Sequence, residues 1–258
     1  MRTLRRGAPR EKTCFDRSRR VRIGVTYGVE DLESRDISGA TAVVIDCFRA
    51  STSIVAALAA GANAVYPFVA VDDAVEAAAA MGGAVLGGER GGARIEGFDL
   101  GNSPEEYTAE AVAGRNVVMT TTNGTKVLAA AAKAEAVYVG CFVNAGATVR
   151  ELLSRGGEVV LTAAGTEGYF SIEDALCAGM MIERLCEANE ADLEDSSLFA
   201  RLAYKATGGD VGTYARRGRG ASNIRALALD ADMDYCLAID SAPIVAKVLT
   251  NPLRVVKA

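Results

Sequence analysis

Three segments of the sequence share one order: a short Val-Val strand, a loop rich in hydroxyl or glycine residues, and a helix. They read VVIDCFRASTSIVAALAAG, VVMTTTNGTKVLAAAA and VVLTAAGTEGYFSIEDALCAG. The first and third also share Ser-Ile-x-x-Ala-Leu-x-Ala-Gly, beginning at Ser53 and Ser171, so we interpret them as an internal repeat. Such loops direct backbone N–H groups, hydroxyls and the positive end of a helix dipole to one place. The pattern therefore predicts an anion site, most often for phosphate.

Strand and helix patterns also alternate along the rest of the chain. Strands are predicted at residues 21–27, 42–47, 64–69, 84–86, 117–120, 136–139 and 159–162. Helices are predicted at residues 51–60, 72–81, 126–133, 148–154, 173–188, 196–207, 209–217 and 224–228. This alternation is typical of an α/β fold, here a three-layer α/β/α arrangement with a mostly parallel sheet. Residues 21–258 are expected to form one domain, with two similar lobes dividing near residue 140 as an alternative.

Charge is distributed unevenly between the first twenty residues and the remainder. Eight basic and two acidic residues give residues 1–20 a net charge of +6, so the rest carries −11 for a total of −5. We expect residues 1–20 to be a disordered basic tail; nucleic-acid binding through it is the alternative, which the acidic remainder disfavours. No apolar run is long enough to span a bilayer and no signal peptide is visible, which predicts a cytoplasmic protein without a membrane partner.

The chain has no histidine, which excludes several catalytic mechanisms. A Ser-His-Asp triad, a Cys-His pair, a phosphohistidine intermediate and a His-ligated zinc site all require one. The six cysteines form no Cys-x-x-Cys pair and are predicted to be reduced and mostly buried. Carboxylates, Lys, Arg, Cys and a hard metal remain. Because an acidic chain that builds anion loops needs a mediating cation, we expect Mg²⁺.

The first loop carries the strongest catalytic candidate. Asp46 lies at the carboxyl end of its strand, where open α/β sheets bind ligands, and Arg49, Ser51 and Thr52 follow it. Asp46 is predicted to ligate a metal or to attack phosphorus, while Arg49 and the hydroxyls bind the anion. The alternative interpretation is that Asp46 is a structural helix cap or part of an ion pair at the strand end.

A long Gly-rich loop is predicted at residues 87–104. Its charged residues are Glu89, Arg90, Arg94, Glu96 and Asp99. Glycine lets a backbone approach a ligand closely, arginine binds phosphate or sulfonate through two N–H groups, and carboxylates hold Mg²⁺. This loop is predicted to hold an anionic substrate together with a cation. The alternative is an exposed charged loop without a ligand.

The second and third loops also carry candidate residues. The cluster of threonines at residues 120–125 is predicted to cradle an oxyanion, although its Asn-Gly pair alone is an ordinary turn signal. Thr166 lies in the third loop, and Glu173 with Asp174 lies in the first turn of the following helix. These two acids could simply complement the helix dipole. The first segment has Val and Ala at the equivalent positions, which favours a functional role for the acids.

Four strings in fixed order resemble the 2-phosphosulfolactate phosphatase (ComB) family: IDCFRASTSI, GERGG followed by GFDLGNSPEEY, TTTNGT, and AGTEGYFSIEDALCAG. The resemblance extends from about Val21 to Asp240 and loosens around residues 222–245. Among the residues in these motifs, we predict that Asp46, Arg49, Glu89 and Arg90 are catalytic and that some of Asp46, Glu89, Asp99, Glu173 and Asp174 hold the metal. The predicted substrate-binding residues are Ser51, Thr52, Asn102, Ser103, Thr121, Thr122, Asn123, Gly124, Thr125 and Thr166.

Membership of this family implies a Mg²⁺-dependent hydrolase that converts 2-phospho-3-sulfolactate to sulfolactate and phosphate, on the route to coenzyme M. The implied partner is a small anionic phosphoester, and a homodimer is a further expectation. Two alternatives stay open from the residues themselves. One is a phosphatase for another small phosphorylated hydroxy acid, and the other is a non-catalytic anion-binding protein.

Overall fold

A computed structural model describes residues 21–258, so the predicted basic tail at residues 1–20 lies outside the described part of the chain. The strands are β1 (Val21–Tyr27), β2 (Thr41–Ile45), β3 (Ala64–Phe68), β4 (Val85–Arg90), β5 (Ala93–Arg94), β6 (Asn116–Thr120), β7 (Ala136–Gly140), β8 (Gly157–Ala163), β9 (Ala191–Leu193), β10 (Ala246–Thr250) and β11 (Leu253–Lys257). The α-helices are α1 (Val29–Glu33), α2 (Ala50–Ala59), α3 (Val71–Met81), α4 (Ala109–Val112), α5 (Gly124–Ala131), α6 (Ala145–Arg155), α7 (Ile172–Ala188), α8 (Asp195–Ala206), α9 (Val211–Ala215), α10 (Arg219–Ala226) and α11 (Asp230–Cys236). Short 3₁₀ helices lie at Pro104–Glu106 and Phe142–Asn144.

The strands of the described region form one sheet, in the order β5-β4-β6-β3-β11-β10-β7-β2-β8-β1-β9. The sheet contains two blocks of parallel strands. One block consists of β7, β2, β8, β1 and β9, and the other of β3, β6 and β4. The antiparallel hairpin of β10 and β11 joins them, because β10 pairs with β7 and β11 pairs with β3. A mostly parallel sheet flanked by helices confirms the predicted α/β/α fold.

Each of the three repeated segments forms a strand, a loop and a helix in the predicted order. The strands β2, β6 and β8 are mostly buried, as strands covered on both faces of a parallel sheet are. They lead into α2, α5 and α7 respectively. Because β2 and β8 are hydrogen-bonded neighbours, with Val44 beside Thr162, their loops leave the sheet side by side.

Helix α2 is buried along almost its whole length. Its residues from Ala50 to Leu58 are all buried, and it packs against β3, β7 and β11. The Ala-rich and Ser-rich sequence of α2 explains this position, because small side chains let strands and helices approach from several directions. Packing on all sides therefore fixes the first turn of α2, which follows Asp46.

The predicted loop at residues 87–104 is partly β-structure, which corrects the sequence-based expectation. Strand β4 continues through Arg90, and β5 returns antiparallel to it after a turn at Gly91 and Gly92. Glycine is uncommon in strands, so the pattern there indicates a loop. At Gly88 the φ angle is 148°, and a side chain would overlap the carbonyl oxygen of Thr120 in β6. Glycine at this position therefore permits the pairing of β4 with β6.

Within residues 21–258, no helix has both the length and the apolar character that crossing a bilayer requires. The five cysteines of this region are free, and Cys47, Cys141, Cys177 and Cys236 are buried. Their burial agrees with the prediction of mostly buried, reduced cysteines.

Candidate active site

A cavity opens where loops from both blocks of the sheet meet. Its empty volume, including the mouth, is about 530 Å³. Its walls come from the loops after β2, β6 and β8, from the hairpin of β4 and β5, and from helix α10. The lining residues are Asp46, Phe48, Arg49, Glu89, Gly91, Gly92, Asn102, Thr122, Asn123, Thr166, Glu167, Gly220, Asn223, Ile224 and Leu227. The cavity therefore contains residues from all three repeated segments.

Asp46 presents one carboxylate oxygen to this cavity. Its Oδ1 accepts a hydrogen bond from the N–H of Ala50 at 3.2 Å, at the start of α2. Its Oδ2 accepts no hydrogen bond from any residue in the described part of the chain. A side chain at Gly124 would lie 2.8 Å from Oδ2 and 2.7 Å from the Cβ atom of Ala50. Glycine at the first position of α5 therefore leaves space around the free oxygen.

Burial raises the pKa of Asp46, Glu173 and Asp174, and neighbouring negative charges add to the rise for Asp46 and Asp174. Burial raises the pKa of Asp46 to about 7, and the negative charges of Glu89 and Glu173 add to the rise. Burial also raises the pKa of Glu173 above its usual range. For Asp174, burial and the charges of Glu173 and Asp46 raise the pKa well above normal. Such a cluster is electrostatically costly when it is ionised without a cation, because like charges in a buried region repel.

Glu89 connects the β4–β5 hairpin to the second loop. Its Oε1 accepts a hydrogen bond from the N–H of Thr122 at 2.7 Å, and its Oε2 accepts one from the Thr122 hydroxyl at 3.0 Å. Oε2 also accepts a hydrogen bond from the N–H of Gly92 at 2.7 Å. Glu89 is only 6% exposed. Its carboxylate thus fixes two walls of the cavity relative to each other.

Asp174 connects the first loop to the third loop, as Glu89 connects the hairpin to the second loop. Its Oδ1 accepts a hydrogen bond from the N–H of Cys47 at 2.7 Å, and its Oδ2 accepts one from the N–H of Gly165 at 3.2 Å. Glu173 beside it is 1% exposed, and its Oε2 has no hydrogen-bond partner. A side chain at Gly218, which precedes α10, would lie 2.8 Å from that oxygen. Asp174 therefore joins two loops, while Glu173 lies against the start of α10.

Arg49 is held in the cavity wall by two partners. Its Nη1 donates a hydrogen bond to Oδ2 of Asp232 at 2.5 Å, and its Nη2 donates one to the carbonyl oxygen of Gly92 at 2.6 Å. Oδ1 of Asp232 accepts a hydrogen bond from the hydroxyl of Ser103 at 2.5 Å. The side chains of Arg49 and Asp232 are 3% and 2% exposed. This buried ion pair connects the first loop to helix α11.

The structure brings together many of the predicted substrate-binding residues, in two layers. Cavity-lining positions are occupied by Asn102, Thr122, Asn123 and Thr166. Behind the cavity, Ser51 and Thr52 hydrogen-bond to backbone groups of the first loop, and Thr121 and Thr125 hydrogen-bond to each other across the start of α5. The first layer can contact a ligand, and the second supports the loops.

Arg90 and Asp99 lie outside the cavity. Arg90 donates hydrogen bonds to the carbonyl oxygen of Val69 and to the hydroxyl of Thr120, both at the end of β6 and β3. Asp99 is exposed, and its carboxylate accepts a hydrogen bond from the N–H of Leu86 in β4. Arg90 lies outside the cavity because successive residues of β4 point to opposite faces of the sheet. Glu89 therefore points into the cavity and Arg90 away from it.

Sequence reasoning missed the contribution of helices α10 and α11. Gly220, Asn223, Ile224 and Leu227 belong to α10 or follow it directly, and they form one wall of the cavity. Asp232 in α11 is the partner of Arg49. One usable signal is present, since Gly-Arg-Gly-Ala-Ser-Asn at residues 218–223 combines glycines with small polar residues as ligand-contacting segments do.

The donor set of the cavity fits a magnesium ion that is shared with a substrate. Within residues 21–258, no three Asp, Glu or Cys side chains are arranged to hold a metal ion by themselves. Magnesium is often held by one or two carboxylates, with waters and substrate phosphate completing its shell. The free Oδ2 of Asp46, surrounded by other buried acids, meets that description. Among the described residues that line the cavity, Arg49 is the one cation, and it pairs with Asp232.

Known proteins are similar to this chain over most of its length. Residues 27–251 match the family model described as 2-phosphosulpholactate phosphatase. A probable 2-phosphosulfolactate phosphatase of Clostridium beijerinckii is 36% identical over 220 residues, which cover 84% of this chain and 92% of that protein. The corresponding protein of Clostridium perfringens strain SM101 is 37% identical over 84% of this chain and 89% of its own length.

A relative from Caldanaerobacter subterraneus, also named probable 2-phosphosulfolactate phosphatase, is 36% identical over 86% of this chain and 93% of its own. These matches extend across all three repeated segments and confirm the resemblance indicated by the four sequence motifs. The chain belongs to the 2-phosphosulfolactate phosphatase family, a family of phosphoric monoester hydrolases.

Proposed function

We propose that this protein hydrolyses 2-phospho-3-sulfolactate to 3-sulfolactate and phosphate with the help of Mg²⁺. The observation that supports this most directly is the cavity at the end of β2, in which Asp46 offers a free carboxylate oxygen beside the start of α5. A helix N-terminus favours a phosphate group, and a carboxylate favours the cation that accompanies it. Membership of the family supplies the substrate class.

In this proposal, Asp46 would hold the cation through its free Oδ2, and Glu173, when ionised, would strengthen the attraction. Magnesium, when bound, would polarise the phosphate of the substrate and lower the pKa of a bound water. Glu89 and Asp174 do not need to contact the ion, because backbone N–H groups and the Thr122 hydroxyl already use their oxygens. Their role is to keep the three loops at fixed separations.

In this proposal, Arg49, Asn102 and Asn123 would contact the substrate. Arg49 has five N–H groups and uses two of them on Asp232 and Gly92, which leaves donors for phosphoryl oxygens. Asn102 and Asn123 line the cavity with amide groups, and the Asn102 Oδ1 has no partner. Charge that develops on the phosphoryl oxygens would be neutralised by Arg49 and by the start of α5. We favour attack by water over attack by Asp46, in line with a role of Asp46 as ligand.

The test is phosphate release from racemic 2-phosphosulfolactate and from a panel of other phosphomonoesters, with Mg²⁺ and with EDTA. We expect turnover that requires the metal and prefers the sulfonate ester. Metal-dependent turnover of a different ester would keep the chemistry and replace the substrate by another phosphorylated hydroxy acid. Absence of turnover across the panel would favour a non-catalytic anion-binding protein.

Several finer expectations accompany this proposal. Formation of sulfolactate would serve a step of the coenzyme M type, and the protein would act in the cytoplasm, without nucleic acid as a partner. A homodimer also stays a prediction, as does a single domain at residues 21–258, with two lobes dividing near residue 140 as its alternative. Removal of residues 1–20 should leave turnover unchanged, and loss of turnover in that variant would favour a functional role of the basic tail.

A further inference from the structure

Asp232 is the buried acid that ties the C-terminal helices to the cavity. It lies in α11, and 1% of its surface is exposed. One of its oxygens accepts a hydrogen bond from Arg49 and the other accepts one from Ser103, each at 2.5 Å. Both partners belong to segments that form the cavity wall. Asp232 itself does not line the cavity, so it can act on a ligand only through its partners.

Arg49 lies in a part of the cavity wall that also contains acidic side chains, so its orientation decides which of them it pairs with. Asp46 and Glu89 line the same cavity as Arg49, and their charges act on one another through a buried region. Arginine forms short bidentate pairs with carboxylates wherever geometry allows. The charge of Arg49 already acts on Asp46, whose Oδ2 is free, so Asp46 is the alternative partner of the guanidinium when the carboxylate of Asp232 is removed. A pair of Arg49 with Asp46 would occupy that free oxygen.

We propose that Asp232 is a positioning residue that holds Arg49 away from Asp46, so that the cavity keeps one cationic wall and one anionic wall. This inference rests on the proposed function, in which the anionic wall holds a cation and the cationic wall contacts phosphate. Separate walls allow a phosphate group and its cation to bind at the same time. A direct pair of Arg49 with Asp46 would remove both binding groups at once.

The first experiment compares Asp232→Asn with the wild type. Asparagine keeps the shape and can accept one hydrogen bond from Arg49, but it lacks the charge. We expect kcat/KM to fall about 10- to 100-fold, as for other residues that orient a contacting group. Glu183→Gln is the matched control, because Glu183 pairs with Arg201 at 2.5 Å, remote from the cavity lining. Its kcat/KM should stay within about twofold of the wild type.

A double-mutant cycle separates positioning from simple stabilisation. If Asp232 acts through Arg49, then Asp232→Asn should change kcat/KM by less than about threefold in an Arg49→Met background. If the two losses multiply, Asp232 acts independently of Arg49 and the proposal is wrong. Wild-type kcat/KM in Asp232→Asn would also overturn it. Circular dichroism and thermal unfolding of all four proteins establish that each is folded.

The cycle does not depend on the assigned substrate. If the wild type hydrolyses another phosphomonoester, the four proteins are compared on that ester. If no ester is hydrolysed, inorganic phosphate binding in the presence of Mg²⁺ is measured by calorimetry on the same proteins. Weaker phosphate binding in Asp232→Asn, without a further loss in the double variant, supports the positioning role. Equal binding by Asp232→Asn and the wild type contradicts it.

Discussion

The environment of Asp46 is unfavourable for a charged carboxylate. The residue is 7% exposed, and burial together with the neighbouring acids raises its pKa to about 7. A purely structural cap at the start of α2 could be provided by a neutral side chain, because the N–H of Ala50 needs only an acceptor oxygen. An ionisable group at this position therefore costs stability, which is common where a residue serves binding or catalysis.

Asp46→Asn should lose turnover and gain stability. Asparagine keeps an acceptor oxygen for Ala50 but removes the buried charge, so the melting temperature at pH 8 should rise by about 2–4 °C, on the order of 1 kcal/mol. Phosphate release should fall at least about 100-fold, because the proposed cation ligand is lost. Differential scanning calorimetry and a phosphate assay measure the two effects.

Asp73→Asn serves as the control for this prediction, since Asp73 is an exposed acid in the first turn of α3. It should leave turnover unchanged and should not raise the melting temperature. Near-normal turnover in Asp46→Asn would contradict the assignment of Asp46, whatever the stability result. A lower melting temperature in that variant would show that the charge of Asp46 stabilises the fold.

Among the strands and helices, the sequence predicted those with a clear apolar pattern well and those with a mixed pattern poorly. The strands β2, β6 and β8 are continuous apolar runs before hydroxyl-rich loops, so their place and type could be read directly. The strands β10 and β11 surround Asn251-Pro252 and mix charged with apolar residues, which does not distinguish a hairpin from a loop. Helix α11 has three acids in seven residues, and such a short polar segment has little helical pattern.

The residues of the candidate site also fall into two groups, those that the sequence could predict and those that it could not. Residues that directly follow a strand, such as Asp46 and Thr122, could be predicted because parallel strands present their loops at the carboxyl end. The partner of Arg49 could not, since Asp232 lies 183 positions away and the contact depends on the packing of α11. The alternation of β4 also separates Glu89 from Arg90, which a predicted loop could not show.

Helices α7 and α8 pack closely against each other. Gly179 lies in α7, and a side chain there would overlap the carbonyl oxygen of Ala200 in α8. Gly179→Ala should therefore lower the free energy of unfolding by about 2 kcal/mol through overpacking. Urea denaturation measures the change.

Gly212→Ala in α9 is the matched substitution, because the nearest atoms to a side chain there are 4.0 Å away. Alanine is the better helix former, so this variant should be as stable as the wild type or slightly more stable. Equal stability of Gly179→Ala and the wild type would mean that α7 and α8 do not approach so closely.

The absence of histidine from the entire sequence limits which groups can make stability depend on pH near neutrality. Few groups other than the buried site acids can titrate between pH 5 and 8. For Asp46 the pKa is about 7 in the folded protein and 3.8 in a free side chain. Between these values the folded protein binds more protons than the unfolded chain, so stability decreases as pH rises.

The melting temperature should therefore fall by at least about 3 °C from pH 5 to pH 8 without divalent cations. Addition of Mg²⁺ should recover part of this loss at pH 8 and little at pH 5, because the ion binds ionised carboxylates. Asp46→Asn should show a smaller dependence on both pH and Mg²⁺. A melting temperature that is constant or rises over this pH range in the wild type would contradict the raised pKa of Asp46.

The hairpin of β10 and β11 follows every other described strand in the chain, yet it lies between the two parallel blocks of the sheet. During synthesis, the ribosome releases both blocks before the strands that hydrogen-bond to them are made. Until then, β7 and β3 each have an unpaired edge, and such edges can pair with other chains. The order of synthesis therefore makes the nascent chain vulnerable to aggregation until the hairpin emerges and fills the gap.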